Sequence, residues 1–228
     1  LEDGLFLRID SHGKEIISNT FGGSNRDILV ESIILQNNTV AMIGRTESIG
    51  MGRSDGWLVL TDLNGSLISE NSYGGAENDW LTSINEKENG NLIVTGWSKS
   101  FDGDVGSELW VMELDYFGNL INEYRFGGSE DDFGSDLYSI PSADGGGYLL
   151  LGETYSFGNN GSDIWLIKLD ENGEYAYDTN GEEWNKILIS TKWHRVCFTP
   201  ALIIEKKVAN MVLDFFIDEF KKLAKEKK

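Results

Sequence analysis

The chain has 228 residues and a formal net charge of −19, with 27 glycines, two prolines, one cysteine and 11% aromatic residues. This composition suits short strands joined by tight turns and argues against disorder or a helical bundle; Cys197 has no partner for an internal disulfide, and no apolar run reaches transmembrane length. Residues 1–180 carry 9 basic and 31 acidic side chains, a field that repels phosphate backbones and excludes nucleic acid as a partner.

The first predicted element is a strand, Leu5 to Asp10, that returns as Trp57 to Asp62, Leu109 to Asp115 and Ile164 to Asp170. Trp57 and Val59 fall on one face and Leu58 and Leu60 on the other, as in a strand covered on both sides. A turn ending in glycine follows each copy, at Gly13, Gly65, Gly118 and Gly173. The second strand, such as Ser66 to Tyr73, is polar enough for a sheet edge. An aromatic-Gly-Gly corner comes next, opening at Phe21, Tyr73 and Phe126, 52 and then 53 residues apart. Asp27, Asp79 and Asp132 stand at fixed distance beyond it, before a third strand near Trp80 to Asn85 in the middle copy. A fourth strand is an apolar run closing on Gly44, Gly96 or Gly152. Two marks sharing one period identify a repeated supersecondary unit, and four short strands per ~50 residues match a propeller blade. A β-trefoil or β-prism also has three four-stranded units, but the fourth copy of the first strand argues against both. Three units are fewer than ordinary closed propellers contain, so an incomplete array, or part of a longer one, is expected.

The run aromatic-Gly-Gly-Ser-x-x-Asp, then apolar-run-Gly, then Ser156-Phe-Gly-x-x-Gly-Ser-Asp-x-Trp-Leu-x-Lys-Leu-Asp-x-x-Gly173 resembles a tandem repeat of bacterial and archaeal surface or secreted proteins, propeller-like and in places labelled bulb-type lectin-like. The resemblance covers about residues 3–187 and implies a cell-surface or secreted location. The mannose-binding pattern of true bulb lectins, Gln-x-Asp-x-Asn-x-Val-x-Tyr, is absent, so sugar binding is not carried over.

The expected fold is all-β: an incomplete propeller-like array of four-stranded repeats of about 52–56 residues with a C-terminal amphipathic helix. The β-repeat domain is placed at 1–187, in units of about 3–54, 55–107 and 108–162 and a partial unit 163–187. A divergent, basic tail fills 188–228, with a helix at about 205–225 carrying Val208, Val212, Phe215, Phe216, Phe220 and Leu223 at spacings of three and four. This tail reads as a fused segment, a shifted reading frame or a cover for the open end of the array, within the chain or across a dimer; membrane contact is not expected.

Catalytic signatures are missing. His12 sits in a turn and His194 in the tail, and no Gly-x-Ser-x-Gly, His-Glu-x-x-His or Cys-x-x-Cys occurs, so no catalytic residue is assigned. The only metal candidate is Asp102, Asp104 and Glu108, whose oxygens suit Ca²⁺; otherwise Asp55, Glu108 and Asp163 are expected to accept backbone N–H bonds in a turn between units, and no other cofactor is expected. Asp27, Asp79 and Asp132 fit a structural hydrogen bond to the Gly-Gly corner, and Trp57, Trp110 and Trp165 fit core packing better than sugar stacking. The expected function is a non-catalytic module for binding or scaffolding, with a protein or polysaccharide as partner. The alternative is a carbohydrate-active enzyme that uses a pair of carboxylates.

Overall fold

A computed structural model describes residues 2–101, 106–141, 146–158, 161–175 and 187–189. Among these residues all regular structure is β, in fourteen strands. They are β1 (Gly4–Ile9), β2 (Glu15–Phe21), β3 (Asp27–Ile34), β4 (Val40–Thr46), β5 (Asp55–Thr61), β6 (Leu67–Tyr73), β7 (Asp79–Glu86), β8 (Leu92–Ser98), β9 (Glu108–Leu114), β10 (Leu120–Phe126), β11 (Asp132–Ser139), β12 (Tyr148–Thr154), β13 (Asp163–Leu169) and β14 (Ile187–Ile189). The C-terminal helix expected at 205–225 lies outside the described residues.

The strands form four antiparallel sheets: β1-β2, β3-β4-β5-β6, β7-β8-β9-β10 and β11-β12-β13-β14. Each four-stranded sheet joins the third and fourth strands of one repeat to the first two of the next. Sheets therefore begin at Asp27, Asp79 and Asp132, midway through the units the period suggests. β14 takes the outer place beside β13, pairing Leu188 with Trp165.

Burial follows strand position. β5 is buried throughout, as expected for a strand with neighbours on both faces. The outer β6 and β10 are largely exposed or half-buried. Three apolar clusters lie between successive sheets. Phe6 meets Val40, Met42, Trp57 and Val59. Ala41, Ile43, Leu58 and Leu60 meet Leu81, Ile84, Val94, Trp110 and Met112. Ile93, Leu109 and Val111 meet Leu137, Leu150, Trp165 and Ile167.

Hairpin tips add a second tie between sheets. Asp62, Asp115 and Asp170 each accept two backbone N–H bonds of their own turn, as Asp10 does in the first copy. The Asp62 and Asp115 tips are then gripped by the sheet before them: Asn19 Nδ2 donates to Gly65 O (2.8 Å), Asn71 Nδ2 to Phe117 O (3.1 Å) and Tyr73 OH to Gly118 O (2.5 Å).

The glycines expected to end the fourth strand lie inside it, because β4, β8 and β12 run two residues further. The cause is a bulge in the paired strand, where the register shifts between Leu29 and Glu31, Leu81 and Ser83, and Gly134 and Asp136. The bulge pushes a carbonyl toward the glycine, so a Cβ at Gly44 or Gly96 would overlap the Ile28 or Trp80 oxygen. Gly96→Ala should therefore lower the unfolding free energy by about 3 kcal/mol in urea. Gly90→Ala, at φ +84° with nothing within 4 Å of its Cβ, meets only backbone strain and should cost about 1 kcal/mol. Equal losses would remove the steric argument.

Candidate functional site

The recurring aspartates are buried and occupied. Asp27, Asp79 and Asp132 each take the second N–H of the Gly-Gly corner on Oδ2, from Gly23 (2.8 Å), Gly75 (2.9 Å) and Gly128 (2.9 Å). A hydroxyl at the end of the paired strand donates to Oδ1, from Thr46, Ser98 and Thr154. A serine two residues on donates to Oδ2 at 2.6 Å in all three copies, from Ser48, Ser100 and Ser156. These serines in turn accept the backbone N–H of Asn25, Glu77 and Glu130. Each carboxylate thus clamps the corner entering its strand to the loop leaving the paired strand. For Asp27, burial would push the carboxyl up, but donors from Ser48, Thr46, Gly23 and Glu47 outweigh it and hold the group below its ordinary value. The hydrogen bond expected at the Gly-Gly corner is present in all three copies.

The tryptophans opening the buried strands are equally committed. Trp57 Nε1 donates to Glu70 (3.0 Å) and Trp110 Nε1 to Glu123 (3.1 Å). Phe101 and Phe157 stand edge-on to Trp110 and Trp165, with centroids 5.3 and 5.1 Å apart. All three indoles lie in the core, with no face left for a ligand.

Of the calcium candidates, Asp102 and Asp104 lie outside the described residues, and Glu108 opens β9 half-buried. Among the described residues no group of three or more His, Cys, Asp or Glu is placed to hold a metal. Asp55, at the same repeat position as Glu108, is buried. Its carboxyl is pushed up to about 6 by burial and the nearby Asp79 charge, against a backbone bond from Met51.

Sequence reasoning missed a row of half-buried side chains along the sheet ends nearest these clamps. Arg45 lies over the Trp80 ring, 4.5 Å from its centroid. Trp80 faces Trp97 on the neighbouring strand (6.1 Å), Trp97 meets Phe133 edge-on (5.4 Å), and Phe133 meets the exposed Tyr155 (6.4 Å). The row thus passes from β4 across β7, β8 and β11 to the residue after β12. Arg45 Nε and Trp80 Nε1 have no hydrogen-bond partner among the described residues.

The opposite strand ends hold a cleft of about 480 Å³, lined in part by Glu86, Glu88, Ser139, Tyr148 and Glu171. Its Lys87 is already paired with Glu113 at 2.9 Å, so the cleft is acidic and offers little to an anionic ligand.

No protein-family model matches the chain, and no curated protein matches it. Among solved structures, a protein of unknown function from Bacteroides caccae is similar over 90% of this chain and 75% of its own, at 9% identity and a TM-score of 0.42.

Two outcomes follow from the aspartates. Asp132→Ala, which leaves buried donors without an acceptor, should cost about 3 kcal/mol or more in urea unfolding. A loss near zero would mean that water replaces the carboxylate. Asp55 titrates higher folded than unfolded, so folding binds its proton between about pH 4 and 6, and stability falls as pH rises through that window. The unfolding free energy of Asp55→Asn relative to the unsubstituted chain should therefore rise across it, by at most about 1.4 kcal/mol per unit. A flat difference would place the Asp55 carboxyl in its ordinary range.

Proposed function

We propose that this chain is a non-catalytic binding module, a propeller-like array of four-stranded blades at the cell surface or secreted, that takes up polysaccharide along the ring row. One observation carries the reading. The chemistry that recurs with the repeat is spent inside the fold, whereas the Arg45–Trp80–Trp97–Phe133–Tyr155 row sets partly open rings side by side and ends at the exposed Tyr155. A pyranose has apolar C–H faces that pack on aromatic rings. The acidic body turns away polyanions, so neutral polysaccharides are the favoured class.

Affinity electrophoresis against neutral and acidic polysaccharides tests this directly. Retardation by at least one neutral polymer is expected, weakened about tenfold or more in Trp97→Ala. Tyr155 is 47% exposed, so Tyr155→Ala should weaken binding with an unchanged melting temperature. Absence of retardation by the whole panel would overturn the ligand class. Release of sugar from any polymer would favour the carboxylate-based enzyme instead.

A further inference from the structure

One junction between sheets is built with its large and small residues exchanged. Two residues after the recurring aspartate stand Leu29, Leu81 and Gly134; before Leu5, Trp57 and Trp110 stand Gly4, Gly56 and Leu109. At the first two junctions the leucine lies over the glycine of the preceding sheet. A Cβ at Gly4 would come within 2.7 Å of Leu29 Cδ1, and one at Gly56 within 2.9 Å of Leu81 Cδ2. At the third junction the order is reversed. Leu109 is the large member, buried against the next sheet, where a Cβ at Gly152 would lie 2.8 Å from its Cδ1. Gly134 is the small member, and a side chain there would run into backbone: its Cβ would meet Gly96 O at 2.4 Å and Thr95 Oγ1 at 2.7 Å. β11 thus lies directly on β8, and Thr82 Oγ1 fastens the contact by donating to Gly134 O at 2.9 Å.

The exchange falls beside the ring row. Phe133 immediately precedes Gly134 and meets Trp97 edge-on, with centroids 5.4 Å apart, across this same junction. At the preceding junction the equivalent contact is Arg45 over Trp80, 4.5 Å from the ring centroid, and there Leu81 is the next residue. A guanidinium on a long flexible stem reaches its ring across a junction spaced by leucine. A short, rigid indole has no such reach, so Trp97 meets Phe133 only where the backbones themselves close up.

We infer that Gly134 is a positioning residue of the ring row. Glycine in place of leucine lets β11 close on β8 and sets Phe133 against Trp97, while Leu109 fills the space from the other side. The proposal rests on the reading of the row as a polysaccharide site. It names the residue that joins the rings of β7 and β8 to the ring of β11 in one surface.

The exchange can be undone. Gly134→Leu alone overfills the junction and should lower the melting temperature, as should Leu109→Gly, which empties it. Combined, the two restore the arrangement of the first two junctions, so the double variant should melt above both single variants. It should nevertheless bind a neutral polymer about tenfold more weakly or worse, whereas Leu109→Gly keeps its affinity. The geometry has its own readout in the fluorine NMR spectrum of the fluorotryptophan-labelled chain, where the Trp97 resonance is the one lost in Trp97→Phe. That resonance should shift in the double variant in the direction that Phe133→Leu shifts it, and hold its place in Leu109→Gly. A double variant that melts no higher than Gly134→Leu would overturn the exchange. Undiminished binding by the double variant, or an unmoved Trp97 resonance, would overturn the positioning role. If no polymer binds the unsubstituted chain, the reading of the row fails, and the Trp97 shift alone then decides whether Gly134 places Phe133.

Discussion

The fold depends on a buried carboxylate that pairs with no basic side chain among the described residues. Asp27, Asp79 and Asp132 sit in the protein interior at the first residue of β3, β7 and β11, and hydrogen bonds from a glycine N–H and two hydroxyls do the work of a counter-ion. A buried charge is tolerable only when its lone pairs are filled. Here each filling bond comes from a different stretch of chain: the corner before the strand, the end of its partner, and the loop beyond. The same contacts that solvate the charge therefore fix where the chain enters one strand and leaves the next. The hairpin tips tie the sheets at the other strand ends, through Asn19, Asn71 and Tyr73. The first three sheets are thus tied in succession at their hairpin tips, with an apolar layer between each pair.

Much of this was legible because it repeats. The glycines of the hairpin tips, the aromatic-Gly-Gly corners and the aspartate beyond each corner announced both the turns and a structural role for the carboxylate. The phase of the sheets was not legible: a period has no beginning, and only strand pairing shows that β3 and β4 share a ladder with β5 and β6. Gly44, Gly96 and Gly152 looked like strand ends because glycine weakens a ladder, whereas each faces a bulge that only glycine accommodates.

The ring row was hidden for the converse reason. Its residues fall at equivalent positions that differ between copies: Ile28, Trp80 and Phe133 after the aspartate, and Arg45, Trp97 and Glu153 after the glycine. Comparing repeats brings out what every copy needs in order to fold and averages away what one copy does differently. The three core tryptophans stand out in the sequence because they recur, and they recur because each fills the same gap between sheets. In a repeat protein of this kind, a site for a ligand is better sought among the positions where the copies disagree.

Because every four-stranded sheet closes across a repeat boundary, the point at which the chain is cut is immaterial to the ladder. A segment running from any position to its counterpart one period later contains one strand of each of the four kinds. Duplicating such a segment lengthens the stack by one whole sheet, with each new strand beside the partners it requires. A duplication of any other length strands part of a sheet beside an unpaired edge. Growth and shrinkage of the array are thereby quantised in whole sheets, wherever along the gene the recombination falls.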